Sequence, residues 1–156
     1  MFSILFLTGL LGCARDTLEG DWAGELVCNG ITYDVEAVFV EDSSFEYSGQ
    51  MLFSYDRSVE IGGDPATFTA ELLYEFSTHQ TLRSGGQDIF LDMMWTKLYC
   101  EVEYQDGSTQ EGGCKNIGGI DDSDKGEEIG FVEMRYSGTD RLSIEDDNCE
   151  GTLYWD

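Results

Sequence analysis

The residues of this chain best suited to chemistry are its five cysteines: Cys13, Cys28, Cys100, Cys114 and Cys149. No two of them form a Cys-x-x-Cys pair, and the sequence holds a single histidine, His79. A structural zinc site needs closely spaced thiolate and imidazole ligands, so this spacing argues against a metal centre. Disulfides formed in an oxidising compartment explain the cysteines better, although an odd count leaves one of them over.

The cysteine left over is Cys13, which follows a short apolar run at residues 1–11. The run is too short to span a bilayer and has the length of a signal-peptide core. Its end, Leu10-Leu11-Gly12-Cys13, resembles the lipobox of bacterial lipoproteins. The resemblance implies a signal peptide over residues 1–12, a lipidated N-terminus at Cys13 and a linker over residues 13–20. The alternative is a buried N-terminal strand with a coincidental Gly-Cys.

The same resemblance predicts a location. A lipidated protein would be held in the bacterial cell envelope, with the membrane as its partner through the N-terminal lipid. Ala14 follows the cysteine in place of Asp. By similarity to enterobacterial lipoprotein sorting, this predicts the outer membrane.

Turn geometry predicts how the four remaining cysteines pair. A three-residue loop at 106–108 would place Cys100 opposite Cys114 and Val102 opposite Gly112, within disulfide reach. That leaves Cys28 for Cys149. These two lie in the first and last predicted strands, which become neighbours when an antiparallel meander closes into a barrel.

Alternating apolar residues predict an all-β domain over residues 21–156. The predicted strands are 22–28, 31–40, 46–55, 66–77, 88–105, 109–114, 129–136, 140–145 and 149–155. We expect an antiparallel meander of about eight or nine strands, a lipocalin-like barrel in preference to a β-sandwich. The run at 66–77 also contains helix formers, but its alternation favours a strand.

Two connections predict the strand register. Asn29-Gly30 is a strong two-residue hairpin signal, and it places Cys28 opposite Ile31 and Trp22 opposite Ala37. The connection over residues 41–45 is expected to place Phe39 opposite Tyr47.

The start of the first strand, Gly20-Asp21-Trp22, resembles the Gly-x-Trp opening of lipocalin-like (calycin) barrels. That resemblance implies a ligand-binding barrel. Six inward aromatic residues are the candidate lining of a pocket for a small apolar ligand: Tyr33, Tyr47, Phe53, Phe68, Tyr74 and Phe76. The alternative is that these rings only fill the core. Connections at 56–65, 77–87 and 115–128 are expected to form the rims.

Charge and missing motifs exclude several functions. The formal net charge of −24, from 32 acidic and 8 basic residues, opposes binding to nucleic acid and adsorption to anionic lipid. The acidic runs at 121–128 and 145–148 are predicted to be solvated loops, so neither a metal nor a cofactor is expected. His79 is expected in a loop, and the chain lacks nucleophile and phosphate-loop motifs. We therefore predict a non-enzymatic binding protein, with a surface interaction module as the alternative and a hydrolase less favoured.

Overall fold

A computed structural model describes residues 17–43, 46–83, 86–126, 128–136, 140–145 and 148–156. Its strands are β1 (Gly20–Cys28), β2 (Ile31–Ser43), β3 (Glu46–Ile61), β4 (Asp64–Arg83), β5 (Gly86–Tyr104), β6 (Thr109–Glu111), β7 (Glu128–Tyr136), β8 (Arg141–Glu145) and β9 (Cys149–Trp155). A π-helical turn at Cys114–Gly118 and a 3-10 turn at Asp122–Asp124 lie between β6 and β7. The predicted all-β class is confirmed, and the run at 66–77 is a strand.

The nine strands form one antiparallel sheet in the order β4-β3-β2-β1-β9-β8-β7-β5-β6. A further pairing of β4 with β5 joins the two sides, so the meander closes into a ring. The short strand β6 adds to β5 beside this ring. Closure leaves few unpaired strand edges, which limits edge-to-edge association with other chains.

The first hairpin has the predicted turn and register. Asn29 and Gly30 have φ values of 52° and 79°, the left-handed conformations that a two-residue type I′ turn requires. Cys28 pairs with Ile31, and Trp22 pairs with Ala37. The indole Nε1 of Trp22 donates a 2.9 Å hydrogen bond to the carbonyl of Leu18, which satisfies the polar atom of a buried ring.

The predicted register of the second connection is wrong by two residues. Phe39 pairs with Gly49 and not with Tyr47, because the two strands continue to a Ser43–Glu46 pair and the ladder shifts by one residue between Glu41 and Ser43. An even shift keeps every side chain on its predicted face, so the inward set of residues is unchanged.

The predicted register of the β5–β6 hairpin is also wrong by two residues, although the disulfide that it predicted is present. Val102 pairs with Gln110 and not with Gly112. β6 ends at Glu111, and Gly112 and Gly113 have φ values of 110° and 81°. These left-handed residues turn the chain back, which brings Cys114 to a Cα–Cα distance of 5.5 Å from Cys100 in the disulfide.

The second predicted disulfide, Cys28–Cys149, joins two residues that are directly paired across β1 and β9. Their Cα atoms are 4.1 Å apart. The bond therefore crosses the strand pairing that brings the first and last strands together.

Two of the three connections expected to form rims are strands. β3 continues to Ile61 and β4 begins at Asp64, so the segment 56–65 is a hairpin that turns at Gly62-Gly63. β4 likewise runs to Arg83, which removes most of the predicted connection at 77–87. The alternation of Val59 and Ile61 with polar neighbours explains the longer strand.

The buried residues form two cores. The inner core receives side chains from β1, β2, β3, β4, β5, β7, β8 and β9, and it includes Trp22, Phe39, Met51, Phe76, Leu91, Met134, Leu142 and Leu153. The end core lies where β3, β4 and β5 extend further, and it includes Tyr55, Phe68, Ala70, Trp95, Cys100 and Val102. Cys114, Ile117 and Ile120 pack against the end core. The segment 112–120, here called the strap, therefore covers it.

Candidate functional site

Three of the six predicted ligand-binding residues lie inside the packed cores. Tyr47 and Phe76 belong to the inner core and Phe68 to the end core. The ring centroids of Phe39 and Phe76 are 4.7 Å apart, and the backbone amide of Tyr47 donates a 2.8 Å hydrogen bond to Thr78 Oγ1. The side chains of these three residues fill space and make internal contacts.

The other three predicted residues, Tyr33, Phe53 and Tyr74, are partly exposed and pack against both cores. Together with Tyr55 they form a row of edge-to-face rings, here called the aromatic cluster. The centroid distances are 5.2 Å for Tyr74–Phe53, 5.8 Å for Phe53–Tyr33 and 5.2 Å for Tyr33–Tyr55. Edge-to-face pairs at these separations are favourable, so the contacts stabilise the row.

Strand alternation places the cluster. Phe53 and Tyr55 are two residues apart on β3, and their neighbours across the sheet on β4 are Leu72 and Ala70. The small side chain of Ala70 lies opposite the larger ring of Tyr55 in the end core. The β4–β5 ladder shifts at Tyr74, where β5 contains one additional residue, Thr96. The Thr96 hydroxyl donates a 3.1 Å hydrogen bond to the carbonyl of Leu73, which satisfies the irregular backbone.

Burial raises the pKa of two tyrosines of the cluster, Tyr33 and Tyr74. Desolvation, with a smaller contribution from Tyr33, raises the pKa of Tyr74 to about 12. Desolvation, with a smaller contribution from Tyr55, also raises the pKa of Tyr33. Within the described residues no hydrogen bond involves the hydroxyl groups of Tyr33, Tyr55 or Tyr74. The partly exposed residues Tyr33, Phe53 and Tyr74 thus offer aromatic surface together with two phenol groups.

One end of the cluster is closed by the strap. Tyr55 contacts Phe68 with a centroid distance of 6.2 Å, and the Arg57 guanidinium lies over the Phe68 ring at 5.6 Å. The same guanidinium donates a hydrogen bond to the carbonyl of Ile117 in the strap. A ligand would therefore reach the cluster at the Tyr33, Phe53 and Tyr74 end.

Sequence reasoning missed Tyr55 and Arg57 as parts of this arrangement. Tyr55 continues the alternation of Met51 and Phe53, and this was the signal that could have included it. Arg57 is the next inward position on β3, where an apolar residue would be expected. Its role depends on the position of the strap, which strand periodicity does not predict.

The remaining candidate residues lie elsewhere. His79 pairs with Phe90 in the β4–β5 ladder, so it belongs to a strand and not to the predicted loop. Cys13 and the signal segment lie outside the described residues. The carboxylate of Asp121 binds Lys115 Nζ at 2.8 Å, and this hydrogen bond is the main reason that the Asp121 pKa is lowered. No group of three or more potential metal ligands occurs in the part of the chain that the structure describes.

The chain also carries two open grooves of about 400 Å³ beside Pro65 and Tyr104. They lie at the ends of the β3–β4 and β5–β6 hairpins, and among the described residues that line them Tyr104 is the one aromatic. Ligand sites usually combine apolar surface with a few convergent polar groups. The aromatic cluster brings four rings to that combination, whereas Tyr104 is the one ring among the described residues that line the grooves.

Comparison of the chain with family models, curated proteins and solved structures finds no match. Among the described residues, no helix is long and apolar enough to cross a membrane.

Proposed function

We propose that this protein is an exported, lipid-anchored protein of the bacterial cell envelope that binds a small, largely apolar ligand without chemical turnover. The observation that carries the binding role is the aromatic cluster, which is partly exposed between two packed cores. Its three hydroxyl groups have no partner among the described residues. The inner core is filled by side chains from all the strands of the ring, so the ligand is expected at the cluster.

The anchor is proposed at Cys13. The other four cysteines are joined in two disulfides, which leaves Cys13 as the remaining thiol. Disulfides fit an oxidising envelope compartment, and Leu10-Leu11-Gly12-Cys13 resembles a lipobox. The outer membrane is the proposed site, because Ala14 follows the cysteine.

The anchor is tested by mass and fractionation. Intact mass of the native protein should show an acylated N-terminus at Cys13, and Cys13→Ser should move the protein into the soluble fraction. An unmodified N-terminus at Met1 in the native protein would contradict the proposal.

The binding role is tested with an apolar fluorescent probe. The folded protein should bind the probe stoichiometrically, and Phe53→Ala or Tyr74→Ala should weaken that binding. Tyr154→Ala is the matched control, because Tyr154 is exposed and lies on the opposite strand face from the inward residue Leu153. Calcium should leave probe binding unchanged if the acidic runs are solvated loops.

A surface interaction module is the second candidate, favoured by exposed apolar side chains on the outside of the ring. Val38 and Val40 alternate with buried Ala37 and Phe39 on β2, and each is nearly half exposed. Absence of probe binding by the native protein would favour this candidate. A hydrolytic activity that His79→Ala abolishes would overturn both.

A further inference from the structure

The aromatic cluster has the electrostatic character of a cation site. The faces of phenol and phenyl rings carry partial negative charge, and a cation placed over such a face is attracted to it. The cluster contains four such rings in a row, in which each ring contacts the next: Tyr74, Phe53, Tyr33 and Tyr55. Burial raises the pKa of Tyr33 and of Tyr74 above that of an ordinary phenol, and a protonated phenol is a hydrogen-bond donor as well as an acceptor.

The row of rings already accommodates one cation at its closed end. Arg57 lies over Phe68, and the Phe68 ring contacts Tyr55. Among the described residues no Lys or Arg lies over the rings of Tyr33, Phe53 or Tyr74. The open end therefore has the same aromatic chemistry as the closed end, without a side-chain cation.

The negative net charge of the chain also favours a cationic ligand. With 32 acidic and 8 basic residues, the protein repels anions and raises the local concentration of small cations. The partly exposed aromatic surface of Tyr33, Phe53 and Tyr74 selects among these cations. It favours weakly hydrated cations, because a strongly hydrated metal ion loses more hydration free energy when it leaves water.

We propose that the aromatic cluster binds small organic cations that carry a methylated ammonium group. The inference rests on the proposed function, since it names the ligand class of the same site. The methyl groups bury apolar surface against Phe53 and its neighbours, while the charge is attracted to the ring faces. A neutral ligand of the same shape gains only the first of these contributions.

The test compares choline with its neutral isostere, in which carbon replaces the quaternary nitrogen. Both are titrated into the purified, disulfide-intact protein by calorimetry at constant ionic strength. Choline should bind at one site, and the isostere should bind about tenfold more weakly, as expected for loss of a partly desolvated cation–π interaction. This comparison uses the unmodified protein, so it does not depend on whether a variant folds.

Variants then locate the site. Tyr33→Leu and Phe53→Leu should each weaken choline binding, whereas Tyr33→Phe keeps the ring and should retain most of it. Tyr99→Leu is the matched control, because Tyr99 is an exposed tyrosine that bonds to Glu101 away from the cluster. Urea denaturation checks that each variant is folded.

The outcomes separate this inference from the proposed function. Equal affinity for choline and the isostere, with both lost in Tyr33→Leu, would overturn the cation preference and retain the binding site. Choline binding that salt abolishes and that Tyr33→Leu and Phe53→Leu leave unchanged would mean adsorption to the acidic surface, and it would overturn the inference. Failure of choline, the isostere and the apolar probe to bind would overturn both proposals.

Discussion

Gly118 of the strap lies directly against the ring of Phe68. A Cβ atom placed on Gly118 would come within 2.5 Å of Phe68 Cζ and 2.9 Å of Cε1. Phe68 is completely buried between Tyr55 and the strap, so its ring has little space in which to move. This contact, the Arg57 hydrogen bond to Ile117 and the Cys100–Cys114 disulfide together hold the strap over the end core.

Gly118→Ala should destabilise the protein. The added methyl group overlaps a ring that cannot move away, and overpacking of this kind costs about 1–3 kcal/mol of unfolding free energy. Urea denaturation of oxidised wild type and variant measures the difference. In a double-mutant cycle, Phe68→Leu should make Gly118→Ala less costly, because the smaller side chain leaves room for the methyl group. Strictly additive effects would show that the two residues do not meet.

Tyr74 should make stability depend on alkaline pH. Folding raises its pKa from 10.0 to about 12, so the folded state favours the protonated phenol. That contribution is fully present below pH 10 and is lost as the pH rises from 10 through 12. Tyr74→Phe should therefore lose less unfolding free energy than wild type across this window. Ultraviolet titration of phenolate absorbance should also lack one late-titrating tyrosine in the variant, and an unchanged titration would contradict the assignment.

Gly30→Ala should destabilise the first hairpin through the backbone alone. Gly30 has a φ of 79°, and a Cβ atom there would meet nothing within 4 Å. The cost is therefore left-handed strain of about 1–2 kcal/mol for an L-residue that carries a Cβ. Asn29→Gly is the matched control, since glycine adopts the φ of 52° at that position without a Cβ clash. Equal stability of wild type and Gly30→Ala in urea would argue against this turn.

Alternation predicted the strands and their faces but not every register. The Asn29-Gly30 register was right because a two-residue turn leaves no freedom in pairing. For Phe39 and Val102 the predicted partners were wrong by two residues. A period of two is unchanged by such a shift, so the apolar pattern cannot detect it. The bulge between Glu41 and Ser43 and the left-handed Gly112 and Gly113 are local backbone features that the pattern does not encode.

The sequence predicted only part of the candidate site, and the reason is related to the one for the register. Alternation shows that Tyr33, Phe68 and Phe76 point inward, but it does not show the depth at which each lies. Phe68 is buried because the strap covers it, and Phe76 because the ring closes around it. Tyr33 packs against both cores and remains partly exposed. The burial of each side chain depends on contacts between residues far apart in sequence, and the apolar pattern of a single strand does not predict those contacts.

The two disulfides should differ in what their loss costs. Cys28–Cys149 spans a sequence separation of 121 and Cys100–Cys114 one of 14, so the longer loop restricts the unfolded chain more. On the chain-entropy model, replacing both cysteines of a bridge with Ala should cost about 5 kcal/mol for the long bridge and about 3 kcal/mol for the short one. The short bridge also closes a region that the β5–β6 ladder and Arg57 already hold in place. Urea denaturation of the two double variants shows which bridge contributes more to the unfolding free energy.

Non-reducing peptide mapping of the wild type provides the control, and a Cys28–Cys100 linkage there would contradict the closure of β1 against β9. A less stable protein after loss of Cys100–Cys114 than after loss of Cys28–Cys149 would show that the strap contributes more to folding than the end-to-end strand pairing.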